Sequence, residues 1–133
     1  MNRGIRREVR RRAGGRCEYC HLPDAYDAWP FHVDHVVARQ HRGKLAMSNL
    51  AWTCSRCNQN KGPNLTGIDP SGGDVVLLFN PRKHDWAKHF AWSGAKAVGL
   101  TAVGRATVIT LRMNAPIVLA KRRQLMAEGV FEA

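Results

Sequence analysis

The chain has no long apolar run. Nothing in its 133 residues approaches the roughly eighteen consecutive apolar positions of a membrane-spanning helix, so no membrane partner is expected. Its basic start lacks the apolar core of a signal peptide. Cysteine is scarce: there are four, all in two short clusters. Acids are fewer than bases, with 10 Asp and Glu against 21 Lys and Arg, for a formal charge of +11. The shortage is also local. No acid occurs between Asp34 and Asp69, whereas Arg39, Arg42, Lys44, Arg56 and Lys61 fall within that span. Residues 3–16 hold seven arginines against the single acid Glu8. Positive charge clustered in this way fits a nucleic-acid partner, because counterion release from phosphates rewards grouped Lys and Arg. No internal repeat is visible. A hydrophobic content of 44% suits a folded chain rather than a disordered one, and the length corresponds to a single domain.

The four cysteines form two Cys-x-x-Cys pairs, Cys17-Glu18-Tyr19-Cys20 and Cys54-Ser55-Arg56-Cys57. Two thiolates separated by two residues grip one metal ion, and two such pairs complete a tetrahedral four-thiolate site. The competing reading is two disulfides or four idle thiols. Matched spacings with no cysteine left over favour structural zinc held by Cys17, Cys20, Cys54 and Cys57, with no open position for chemistry. Cysteines kept reduced in this way fit a cytoplasmic protein.

Between the pairs runs Phe31-His32-Val33-Asp34-His35-Val36-Val37, followed by Asn49-Leu50 and then Asn58 inside the second knuckle. On a strand, Val33, His35 and Val37 share one face and Asp34 the other, so Asp34 and His35 point apart unless the strand bends or ends there. His-x-Asp-His followed by Asn49 and Asn58, framed by two zinc knuckles, resembles the HNH endonuclease family. The resemblance covers about residues 14–65. It departs from the name-giving pattern at its last letter, where this chain has Asn58 in place of His.

The resemblance implies an α+β fold: a small ββα-metal core of two antiparallel strands and a helix, stapled by the four-cysteine zinc site. It implies hydrolysis of phosphodiester bonds in DNA, with RNA left open by the sequence. Asp34 and Asn58 would hold one catalytic divalent ion, Mg2+ or Mn2+. His35 is the candidate general base, since an imidazole pKa near 6.5 suits neutral pH. Asn49 matches the middle position, whose side chain orients the catalytic histidine through the backbone. Arg39, Arg56 and Lys61 are candidate phosphate contacts. The alternative is a non-catalytic, zinc-stabilised nucleic-acid-binding module. It explains charge and cysteines but not the joint spacing of Asp34, His35, Asn49 and Asn58.

Around this core, Ile5, Val9 and Ala13 predict a basic helix over residues 2–13, ended by Gly14-Gly15. Strands are expected at Phe31–Val37 and Asn49–Thr53. A helix capped by Ser55 carries Asn58 and Lys61 on one face and stops at Gly62-Pro63. Residues 66–133 form a strand and helix extension. It holds a loop over 64–74, a buried strand at Val75–Phe79 and a strand at His89–Trp92. A helix capped by Thr101 is expected to run to Met113, with Thr107, Ile109, Leu111 and Met113 also fitting a strand, and a last helix opens at Pro116 with Lys121-Arg122-Arg123 facing solvent or DNA. This half is similar to the tail of a group of small stand-alone HNH proteins.

Overall fold

The computed structural model describes residues 2–132. The chain forms two compact units. One comprises the residues up to Leu65 together with Asn80–His84; the other comprises Thr66–Phe79 and the residues from Asp85 onward.

The first unit opens with helix α1, Arg3–Arg12. The Asn2 side chain accepts a hydrogen bond from the Ile5 N–H at 2.8 Å, which satisfies an amide the helix leaves unpaired at its start. Arg10, Arg11 and Arg12 fill the last turn, where the helix dipole favours cations. Val9, fully buried, is the apolar anchor. Two arginines tie the helix to its neighbours. Arg12 donates to the carbonyls of Met47 and Leu50 at 2.8 and 2.6 Å. Arg6 donates to Phe31 O at 2.9 Å and lays its guanidinium 4.6 Å from the Trp52 ring centroid.

Strands β1, His32–His35, and β2, Leu50–Thr53, pair antiparallel with His32 opposite Thr53 and His35 opposite Leu50. All four residues of β2 are buried. Helix α2, Ser55–Lys61, follows at once, which completes a ββα unit. Its N-cap is Cys54, not Ser55: the Cys54 sulfur accepts from the Cys57 N–H at 3.4 Å, so a residue of the knuckle does the work expected of the hydroxyl. Gly62 ends α2 at φ 53°, a left-handed angle that a side chain resists. Asn80–His84 rejoins this unit. Arg82 pairs with Glu18, whose other carboxylate oxygen accepts from Trp52 N–H at 2.8 Å.

The second unit holds two hairpins and three helices. Strands β3, Thr66–Ile68, and β4, Val75–Leu77, pair antiparallel. This corrects two expectations. The stretch 64–74 contains a strand, and the apolar run Val75–Phe79 is not a buried strand, since Val75 and Leu77 are both more than half exposed. Only Leu78 and Phe79, past the strand, reach the core. Helix α3, Trp86–His89, occupies part of the stretch read as turn and strand, because Asp85 caps it through the Ala87 N–H. Strand β5 is therefore shifted to Phe90–Ser93, and it pairs with β6, Lys96–Gly99. Helix α4, Ala102–Thr110, is capped by Thr101 as expected.

Helix α5, Pro116–Ala127, starts with Pro116 in its first turn. Arg122 does not face outward with its neighbours. It is fully buried, donates to Ala95 O at 2.6 Å and Met113 O at 3.0 Å, and stacks 4.8 Å from the Trp92 ring centroid. Successive helix residues are turned by about 100°, so three consecutive cations spread over about 200° and do not share one face. Here two carbonyls and an indole ring receive Arg122.

Candidate active site and metal centre

The knuckles bring their four sulfurs within 4.8 Å of one another, all buried and none in a disulfide. A tetrahedron with metal–sulfur bonds of about 2.3 Å has edges of about 3.8 Å. Cys20 Sγ and Cys54 Sγ stand 3.7 Å apart. Without a cation such a cluster resists ionising. Burial pushes the Cys17 thiol well up, and its neighbours, Cys17 first, push Cys57 up. Cys54 is held low, chiefly by hydrogen bonds from the adjoining thiols, led by Cys17. A dication would stabilise four thiolates together, and the donor set is compatible with structural zinc. His21 follows Cys20 but is not part of the cluster; its backbone turns left-handed at φ 65° to close the first knuckle, and its N–H bonds Cys17 O at 2.9 Å.

Strand β1 ends at His35, and this termination answers the problem posed by the alternation of its side chains. Asp34 and His35 line the same shallow cavity of about 280 Å³, together with Arg39 and Asn58. Arg39 opens a short 3-10 turn, Arg39–His41, and is exposed. Asn58 reaches the cavity from α2. One buried polar atom here, His35 Nε2, has no hydrogen-bond partner among the described residues, while Asp34 Oδ2 is met by the Lys61 ammonium at 3.0 Å. Unsatisfied buried atoms are uncommon and point to a bound group. A hard carboxylate oxygen beside an amide oxygen suits a divalent ion such as Mg2+.

Asn49 lies outside the cavity and braces it. Its Oδ1 accepts from Val37 N–H at 2.9 Å, and its Nδ2 donates to Val37 O and Lys44 O, both at 3.0 Å. Val36 N–H donates to Asn49 O at 2.9 Å. The ladder therefore continues for two residues past His35, at Val36 through the Asn49 carbonyl and at Val37 through its side chain, and fixes the backbone at that point. Gly43 closes the intervening loop. A Cβ there would fall 1.6 Å from Val37 O, so only glycine fits against the carbonyl that Asn49 holds.

The remaining candidates lie elsewhere. Lys61 is 2% exposed; its Nζ is 3.0 Å from Asp34 Oδ2 and donates to His35 O at 3.3 Å. It therefore sits behind the cavity as the charge partner of Asp34. Burial still pushes the Asp34 carboxyl above the usual carboxylate range, with Lys61 pulling against it. Arg56 pairs with Asp27 at 3.3 Å and is not among the cavity residues. Tyr19, fully buried in the first knuckle, was not legible as a site residue. Burial, then the charge of Asp34, pushes its phenol well up and keeps it neutral. An aromatic between two cysteines carries no sequence signal for such a place.

Residues 17–64 match the family described as HNH endonuclease. No curated protein and no solved structure matches the chain. No helix among the described residues is long and apolar enough to cross a membrane. The ββα order and the four-cysteine cluster agree with the family match, which identifies an HNH endonuclease domain at residues 17–64.

Proposed function

We propose that this chain is a metal-dependent endonuclease that hydrolyses phosphodiester bonds in DNA. The observation that supports this most is the meeting of Asp34, His35 and Asn58 at one cavity with His35 Nε2 unbonded. Asp34 and Asn58 would hold Mg2+ or Mn2+, which supplies charge neutralisation at the scissile phosphate and at the departing oxygen. His35 takes the proton from the attacking water through its unbonded Nε2. Asn49 keeps that imidazole in place by fixing the backbone just beyond it. Arg39, exposed at the rim, contacts the phosphate backbone. Cys17, Cys20, Cys54 and Cys57 hold zinc as a structural element and take no part in the reaction.

The test is incubation of the zinc-loaded protein with supercoiled plasmid and single divalent ions, read on a gel. Conversion to nicked or linear plasmid is expected with Mg2+ or Mn2+ and none without an added ion. Binding of the plasmid with no cleavage under any ion would favour the non-catalytic binding module.

A further inference from the structure

Trp29 stands 67% exposed at the edge of a groove of about 580 Å³, twice the size of the cavity at His35. Arg3, Arg7 and Arg10 of α1 line one side of this groove, and Phe31 and Trp52, both 2% exposed, line it as well. The loop that carries Trp29 is braced. The Trp29 N–H donates to Asp27 Oδ1 at 3.0 Å, and Pro30 follows. The backbone that carries the indole is held while the ring stays in water, which leaves its face open to a flat ligand.

The charge of the groove narrows the choice. Its two carboxylates are already engaged. Asp24 accepts from Arg10 Nε at 2.7 Å and from Trp52 Nε1 at 3.0 Å, while Asp27 pairs with Arg56. Arg6 is committed to Phe31 O and the Trp52 ring. Arg3 and Arg7 remain, four residues apart on one exposed face of α1, and no ion pair among the described residues ties either of them. Lining charges with the Arg56 partner total five arginines against two aspartates, a surplus of three positive charges. A fixed aromatic face flanked by unengaged guanidinium groups is the combination that binds unpaired nucleic-acid strand: bases stack on the ring and phosphates meet the cations.

We propose that this groove is a second nucleic-acid site, which holds an unpaired segment of the substrate strand with a base stacked on Trp29 and phosphates on Arg3 and Arg7. The choice of occupant rests on the nuclease reading of the domain. The groove shares no lining residue with the cavity at His35.

The test uses the zinc-loaded full chain without added Mg2+ or Mn2+. A fluorescently labelled twelve-nucleotide oligothymidylate is followed by anisotropy over a range of salt. Trp29→Ala is expected to weaken binding about ten-fold, within the usual worth of one stacked base, and Trp29→Phe to restore most of it. Arg3→Ala and Arg7→Ala should each lower the salt slope by about 0.7, the single-strand value per phosphate. Unaltered zinc content and melting temperature control for folding. The proposal is overturned if Trp29→Ala and the arginine variants bind the oligonucleotide as the wild type does. It is also overturned if an acidic peptide such as poly-glutamate, and not the oligonucleotide, shows the Trp29 dependence. Plasmid cleavage is assayed separately with the same proteins. Cleavage without Trp29-dependent binding removes only the groove proposal, and Trp29-dependent binding without cleavage removes only the nuclease reading.

Discussion

Lys61 Nζ stands 3.0 Å from Asp34 Oδ2, and the two side chains are only 2% and 9% exposed. The pair joins the last turn of α2 to the end of β1 beneath the proposed catalytic cavity. Spacing on the helix placed Lys61 on the same side as Asn58 and made it a candidate for phosphate. The structure gives it an internal partner, and the two roles predict different outcomes.

Removing one member of a buried ion pair leaves the other charge uncompensated, at a cost of about 3–5 kcal/mol. Lys61→Met should therefore unfold at much lower urea than the wild type. Adding Asp34→Leu should recover much of that loss, giving a large coupling in the double-mutant cycle. A surface phosphate contact would instead leave stability within about 0.5 kcal/mol and lower the salt slope of DNA binding.

The four-cysteine cluster predicts that metal and fold are lost together. Cys54→Ser removes a thiolate from the cluster but leaves a hydroxyl that can still cap α2, so a loss of stability reports on the metal site. Zinc content, measured by atomic emission, should fall below one per chain, with a lower melting temperature. A variant that is fully stable and zinc-free would refute a structural zinc.

Arg122 offers a test in the second unit. Its guanidinium satisfies Ala95 O and Met113 O, and hydrogen bonds from charged donors contribute about 1.5–3 kcal/mol each. Arg122→Ala should be strongly destabilising, while its exposed neighbour Arg123→Ala should be nearly neutral in stability. Equal effects of the two on urea midpoints would contradict the buried placement.

How much of this was legible beforehand depended on whether the signal was local. The cysteine pairs, the Asp34-His35 step and Asn49 stand at fixed spacings, and the expected cap Thr101 and first-turn Pro116 are where chain-local chemistry puts them. The two strands of the ββα unit were placed to within one to two residues at most of their ends. What was missed depended on partners distant in sequence. Arg12 meets Met47 and Leu50, Lys61 meets Asp34, and Arg122 meets Ala95. A long cationic side chain reads the same in sequence whether it ends in water or on a carbonyl. Val75 and Leu77 failed in the opposite sense. Their apolar pattern suggested burial, but they lie on an outward face of a two-stranded sheet.

The second unit should also be sensitive to acid. Arg105 donates to both carboxylate oxygens of Asp69, at 2.9 and 3.0 Å, and this hydrogen bonding holds the Asp69 carboxyl below the usual carboxylate value of 3.8. A depressed folded-state value means that its stabilising contribution is present above the unfolded value and lost as pH falls through the folded one. Wild type should therefore melt above Asp69→Asn at neutral pH, with the gap closing below about pH 4. A gap that widens in acid would contradict the pairing.

The central claim is that His35 removes the proton from water at the cavity it shares with Asp34 and Asn58. The most direct measurement is the plasmid-nicking rate of His35→Ala against wild type, at matched protein and Mg2+ or Mn2+ concentration. Zinc content and DNA affinity are confirmed equal in both proteins. The account predicts a rate lower by about 10²–10⁴-fold, the usual worth of a positioned general base. Cleavage at the wild-type rate would contradict it.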